Sequence, residues 1–162
     1  MHIRPAIPND IHAMMAIEQS AATAAHWTRQ QYAQVFIDAY SHINSKSETP
    51  EAAMQSRLAL ILEDQEKMQG FLIARCLETE WEIENIIIAE QLQRHGWGTR
   101  LLGTFLNMIR KRGAKSVFLE VRESNTAARR LYEKWALVEN GRRKNYYVSP
   151  NEDALIYHLS FP

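Results

Sequence analysis

Apolar residues at Leu101, Leu102, Phe105, Leu106 and Ile109 recur at helical spacing and predict one amphipathic helix. Arg110-Lys111-Arg112 and then Gly113 supply its stop: cations beside the last carbonyls and a glycine just beyond. A second helix follows Ser124-Asn125 as its cap, with Ala127, Ala128, Leu131, Tyr132 and Trp135 on one face. Nearer the start, Asn9-Asp10 reads as a cap for a helix over Ile11 to Ile17, and a further helix spans Thr28 to Tyr40. The polar stretch Ser41 to Glu51 reads as a loop. Arg57 to Leu62 and Met68 to Leu77 read as strands around the charged turn Glu63-Asp64-Gln65-Glu66. Trp81 to Ile88 alternates and then turns wholly apolar, as a strand buried on both faces does. Ser116 to Val121 is another strand. Val138 to Val148 and Ala154 to Leu159 complete the set, joined by Ser149-Pro150-Asn151-Glu152-Asp153. With a strand at the start, the order is strand, two helices, three strands, helix, strand, helix, two strands. That order predicts an α+β fold, a mixed sheet with helices packed on it.

Composition narrows the function. The 162 residues suit one domain, residues 1–162, and a 46% hydrophobic content suffices for a core. Nineteen basic and nineteen acidic side chains cancel, which argues against phosphate-neutralising nucleic-acid binding and against a polybasic membrane anchor. One cysteine, Cys76, cannot close an intrachain disulfide, and its apolar neighbours make it a small core residue. No apolar run follows Met1-His2-Ile3-Arg4-Pro5, and no segment has the length of a membrane span, so a cytoplasmic protein is expected. The histidines lack metal-ligand spacing, and no metal is expected.

Gln93-Arg94-His95-Gly96-Trp97-Gly98-Thr99 lies between a strand and a helix. Two glycines so spaced let a ligand approach the backbone, and the helix start adds partial positive charge; together these suit a pyrophosphate. A plain helix-starting turn is equally open on these residues alone. A dinucleotide fingerprint fits poorly, because Leu101 stands at its third glycine, and no Gly-Lys-Ser/Thr follows for a nucleotide-phosphate loop.

Taken with its surroundings, the motif resembles that of the GCN-five-related N-acetyltransferases (GNAT). Gln93-x-x-Gly96-x-Gly98 matches their acetyl-CoA motif. Asn85-Ile86, Leu119-Glu120-Val121-Arg122-x-Ser124-Asn125-x-Ala127-Ala128 and Leu131-Tyr132-Glu133 follow the family's order, as do Arg143-Lys144-Asn145-Tyr146-Tyr147 and Glu152-Asp153-Ala154. Ile17-Glu18-Gln19 is an earlier match. The likeness covers most of the chain and is similar in detail to the bacterial ribosomal-protein-alanine branch. It implies a mostly antiparallel sheet of about seven strands flanked by about four helices. It implies that backbone of Arg94, His95, Gly96, Trp97, Gly98 and Thr99 holds the CoA pyrophosphate, and that Asn125 contacts CoA. Backbone of Ile86, Ile87 and Ile88 would pair with the pantetheine arm and the acetyl carbonyl; Glu120 would be the catalytic base and Tyr132 the catalytic acid. Thr99, Trp97 and Ala136-Leu137 depart from the family's usual residues, and the stretch from Asp38 to Ser56 is longer than usual.

The chemistry of these side chains agrees. An α-amine, pKa about 8, is neutral in roughly a tenth of molecules near pH 7; a lysine amine, about 10.4, on the order of once in a thousand. One carboxylate therefore serves as base for an α-amine, and a tyrosine can reprotonate the departing thiolate. The expected activity is acetyl transfer from acetyl-CoA to a protein or peptide N-terminus, possible ribosomal proteins included, with no nucleic acid or membrane partner. Rival readings are transfer to a lysine or small-molecule amine, and a CoA-binding module without catalysis.

Overall fold

A computed structural model describes residues 1–21, 26–41 and 57–162. Its elements are β1 (His2–Pro5), α1 (Ile11–Ser20), α2 (Arg29–Ser41), β2 (Arg57–Asp64), β3 (Lys67–Leu77), β4 (Glu80–Ile88), α3 (Trp97–Lys111), β5 (Ser116–Arg122), α4 (Thr126–Lys134), β6 (Val138–Val148) and β7 (Asn151–Ser160). The seven strands form one sheet in the order β1-β2-β3-β4-β5-β7-β6. Only β4 and β5 pair in parallel; the other neighbours are antiparallel. The expected α+β fold is the observed one. From residue 42 on, the predicted loop to Glu51 lies outside the described residues, as does most of the long Asp38 to Ser56 stretch.

Strand alternation divides the sheet into two apolar faces. Leu58, Leu60, Leu72, Trp81, Leu119 and Tyr157 pack with the predicted stripe of α3. Ala59, Ile61, Phe71, Ile73 and Ile87 pack with Met14 of α1 and Tyr32, Val35 and Phe36 of α2. All five stripe residues of α3 are buried, each contributing roughly 1.5–3 kcal/mol. Cys76 packs half-buried at the edge of the first face. Burial raises its thiol pKa. Among the described residues no helix is long and apolar enough to cross a membrane.

The helix ends show how local chemistry sets the frame. Beyond α3, the Ala114 N–H donates to the Ile109 carbonyl and the Gly113 N–H to the Arg110 carbonyl, with Gly113 at φ +83°. That is a Schellman stop, read correctly from the glycine. The end of α4 is built the same way, with Leu137 N–H on the Tyr132 carbonyl and Ala136 N–H on the Glu133 carbonyl. Here the left-handed position is Ala136, at φ +60°. An alanine Cβ costs about 1–2 kcal/mol there, partly offset by the smaller entropy of its unfolded chain. Ala136→Gly is expected to stabilise the protein by about 0.5–1 kcal/mol, raising Tm by about 1–4 °C. A calorimetric scan showing a lower Tm would contradict this account of the turn.

Several expectations need correction. Asp10 precedes α1 but makes no cap bond to it; its carboxylate accepts from the Ile7 N–H at 2.8 Å and holds Arg4 at 2.8 and 2.9 Å. Ala127 is exposed rather than on the packed face of α4, because a one-residue step along a helix turns about 100°. The turn between β2 and β3 shrinks to Gln65-Glu66, both at positive φ, as a tight hairpin requires. The linker before β7 shrinks to Ser149-Pro150, since Val148 pairs with Asn151 and Tyr147 with Glu152.

Strand β4 also departs from simple alternation. Asn85 lies opposite Ile73 and Ile83 opposite Ala74, so Glu84 is an extra residue without a partner position on β3. This bulge puts Ile83 and Ile86 toward the same face. The extra residue is anchored, with Arg57 donating to Glu84 at 2.9 Å. Burial pushes the Glu84 carboxyl above the usual range, against the opposing pull of Arg57.

Candidate active site

The bulge falls where the site begins. Pairing of β4 with β5 ends at Ile83 and Leu119, just before Glu84. Both strands continue, β4 to Ile88 and β5 to Arg122, without further pairing to each other. A bulge bends its strand and increases local twist, which separates two strands that started side by side. The edge of Ile86, Ile87 and Ile88 facing β5 thus has no ladder partner, and an extended chain-like ligand can pair with it.

The glycine loop sits at the end of that edge. The Gln93 side-chain amide donates to the Ile88 carbonyl at 3.1 Å, and His95 Nδ1 lies 2.7 Å from the Gln93 carbonyl. Arg94 at φ +63° and Gly96 at φ +83° turn the backbone into α3. Gly96 is its N-cap, no side chain caps the helix, and its first turn carries no acidic residue. The N–H groups of Trp97, Gly98 and Thr99 are therefore the helix's own first donors, available to an anion. A Cβ on Gly98 would lie 3.3 Å from Leu131 Cδ2 and 3.7 Å from Ile88 Cγ1, so glycine here lets α3 approach α4 and β4. The Thr99 carbonyl accepts from Trp135 Nε1 at 3.1 Å, and Arg100 stacks on the Trp97 ring 5.5 Å from its centroid. Asn125 is the N-cap of α4, its side-chain oxygen accepting from the Ala128 N–H at 3.1 Å.

Glu120 lies on β5, and Tyr132 lies on α4 within the apolar core. The Glu120 side chain is 17% exposed and meets Arg143 Nε of β6 at 3.0 Å. Its charge, followed by burial and a hydrogen bond, raises the pKa of the Tyr146 phenol. Tyr147 is raised chiefly by burial and then by Glu120. Tyr132 is 4% exposed, its ring centroid 5.9 Å from that of Tyr157. Burial, helped by neighbouring Tyr147, pushes its phenol well above the ordinary value, so it remains protonated through the neutral range.

Several partners around this site were not legible as such in the sequence. Arg143, exposed on β6, pairs with Glu120 across β7. Arg122 lies two residues after Glu120, on the same face by strand alternation, which was the available clue. The motif pieces Glu18 and Asn85 prove to be joined: Asn85 Nδ2 donates to buried Glu18 at 2.9 Å, and the Trp27 N–H donates to the other oxygen at 2.8 Å. Among the described residues, no cluster of three His, Cys, Asp or Glu could hold a metal.

A parallel pair splayed at a bulge, with an uncapped helix start beside the opening, suits an extended ligand that carries an anionic group. The family model of the acetyltransferase (GNAT) family matches residues 14–136, and the chain belongs to that family of acetyl-CoA-using N-acetyltransferases. Among its relatives is a [ribosomal protein bS18]-alanine N-acetyltransferase of Escherichia coli (strain K12), 39% identical over 95 residues. That match covers 57% of this chain and 64% of the relative, so it spans less than two thirds of that protein. The Haemophilus ducreyi protein of the same name is 33% identical over 99 residues, covering 59% of this chain and 68% of its own. In three dimensions, the crystal structure of the ribosomal-protein-S18-alanine N-acetyltransferase from Escherichia coli superposes with a TM-score of 0.78 at 30% identity, covering 98% of this chain and 92% of that one.

Proposed function

We propose that this chain, as a single domain over residues 1–162 acting in the cytoplasm, transfers acetyl from acetyl-CoA to a protein N-terminal α-amine, of the ribosomal-protein-alanine type. The observation that carries the reading is the unpartnered edge of Ile86 to Ile88 leading to the uncapped start of α3. The names of the relatives support the acceptor class.

Acetyl-CoA supplies an acetyl group activated as a thioester. Backbone of Arg94 to Thr99 holds the pyrophosphate, and Asn125 approaches the CoA through its amide. In the backbone of Ile86, Ile87 and Ile88, the alternate N–H and C=O groups that point away from β3 align the pantetheine arm and take the charge that develops on the acetyl oxygen. Glu120 accepts the proton that the attacking amine must lose, directly or through a water. Tyr132, protonated at working pH, hands its proton to the departing sulfur.

One carboxylate base suits an amine that already loses its proton near pH 8. Peptides with a free α-amine are expected to turn over roughly a hundredfold or more faster than N-terminally blocked peptides whose only amine is lysine. Mass spectrometry of a peptide panel incubated with acetyl-CoA reads this directly; one peptide should carry a ribosomal-protein N-terminus beginning with alanine. Comparable turnover of the blocked lysine peptide would move the assignment to side-chain amines. Acetyl-CoA bound without turnover of any amine would leave a binding module.

A further inference from the structure

Arg122 has no assigned part in the proposed reaction, yet its side chain is held by several groups near Glu120. Its guanidinium lies over the Tyr147 ring, 4.0 Å from the centroid. It donates to Glu152 at 3.2 Å, to the Ser149 carbonyl at 3.3 Å and to the Pro150 carbonyl at 3.4 Å. Glu152 in turn accepts from the Ser124 N–H, immediately before the Asn125 cap of α4. The Arg122 side chain is 16% exposed and that of Glu152 12%. One planar group thus ties the end of β5, the turn between β6 and β7, and the entrance to α4.

Tyr147 occupies the middle of this arrangement. A chain of contacts links it to Glu120: Arg143 pairs with Glu120 at 3.0 Å and lies over the Tyr146 ring, 5.4 Å from its centroid. Tyr147 packs edge-on against Tyr146, with centroids 5.1 Å apart. We infer that Arg122 is a positioning residue: its stacked guanidinium fixes the Tyr147 ring beside the Tyr146, Arg143 and Glu120 contacts, and so sets the wall along which the acceptor amine approaches. The inference rests on the acetyl-transfer reading above. A fork that stacks while donating in its own plane to a carboxylate and two carbonyls needs arginine; a lysine ammonium has neither the plane nor the donors.

The test uses the full chain with Arg122→Met, Arg122→Lys, Tyr147→Ala and the double variant Arg122→Met/Tyr147→Ala. Arg122→Met is expected to lower kcat/KM for an α-amine peptide about tenfold or more, with the acetyl-CoA Kd changed less than about threefold. Arg122→Lys should rescue little of the loss. The double variant should be no slower than about twofold below the worse single variant, because residues acting through one another are not additive. Additive losses, or a parental rate in Arg122→Met, would overturn the inference, since general destabilisation has no reason to saturate with Tyr147.

A second measurement is independent of turnover: tyrosine-ring NMR of protein carrying ring-labelled tyrosine, with the Tyr147 signal assigned by its absence in Tyr147→Ala. Arg122→Met should shift and broaden that signal while the Tyr32 signal stays in place. An unmoved Tyr147 signal would sink the positioning role whatever the reaction. A moved signal in a protein that acetylates no amine would uphold the positioning and sink the proposed reaction.

Discussion

Glu120→Gln should lower turnover at neutral pH by roughly a hundredfold or more, the scale for losing a general base. The substitution keeps the size of the side chain and can still accept a hydrogen bond from Arg143, whose Nε lies 3.0 Å from the carboxylate. What it removes is the ability to take a proton. The defect should be greatest below the amine's own pKa, where nearly every acceptor arrives as an ammonium. It should shrink as pH rises through about 8, where the amine is already neutral. Acetyl-CoA affinity should stay near the parental value, since most of the proposed cofactor contacts are backbone groups of β4 and of Arg94 to Thr99. The measurement is a pH–rate profile at saturating acetyl-CoA beside an equilibrium binding curve. Parental rates across the range would mean that water alone removes the proton. Loss of cofactor binding together with turnover would make Glu120 a structural residue instead.

Gly103→Ala should be strongly destabilising. Gly103 is buried in α3, and a Cβ there would stand 2.2 Å from Trp135 Cζ2 and 2.6 Å from Cη2. Alanine favours a helix interior by about 1 kcal/mol over glycine. Overpacking on this scale outweighs that gain, for an expected net loss of roughly 2–3 kcal/mol, or about 4–12 °C in Tm. The effect should reach the cofactor, because Trp135 Nε1 donates to the Thr99 carbonyl in the first turn of α3. A displaced indole releases that bond, and acetyl-CoA affinity should fall with stability. Trp135→Leu removes the obstructing ring, so in that background Gly103→Ala should be neutral or slightly stabilising. Thermal scans of the four proteins in this cycle decide the matter. An equal loss in both backgrounds would show that the contact with Trp135 is not the cause.

Local sequence chemistry was enough wherever the deciding partners are neighbours along the chain. The stripe Leu101 to Ile109, the cations and Gly113 after it, and the Asn125 cap fix their helices by interactions spanning a few residues, and the structure has each of them. Gly96 was legible for the same reason, since its φ of +83° is a property of its own backbone. The family likeness, carried on residues mostly between Asn85 and Ala154, is what singled out Glu120 and Tyr132, which the structure places on β5 and α4.

What remained for the tertiary structure depends on residues far apart in sequence. The extra residue in β4 is visible only against β3, because a bulge is a mismatch between two strands and an apolar run reads alike with or without it. Glu18 and Asn85, 67 positions apart, meet only when α1 lies on β4. Gly103 reads as a mild defect in a helix until the Trp135 ring fills the place of its missing side chain. The partners of Arg143 and Arg122 are decided by the pairing of β7 between β5 and β6, which brings them to Glu120 and Tyr147. The sequence by itself thus determined the elements, their caps and the kind of chemistry; tertiary packing decided where the sheet opens and which charges and rings surround the opening, because those contacts exist only across strands that the chain brings together by folding.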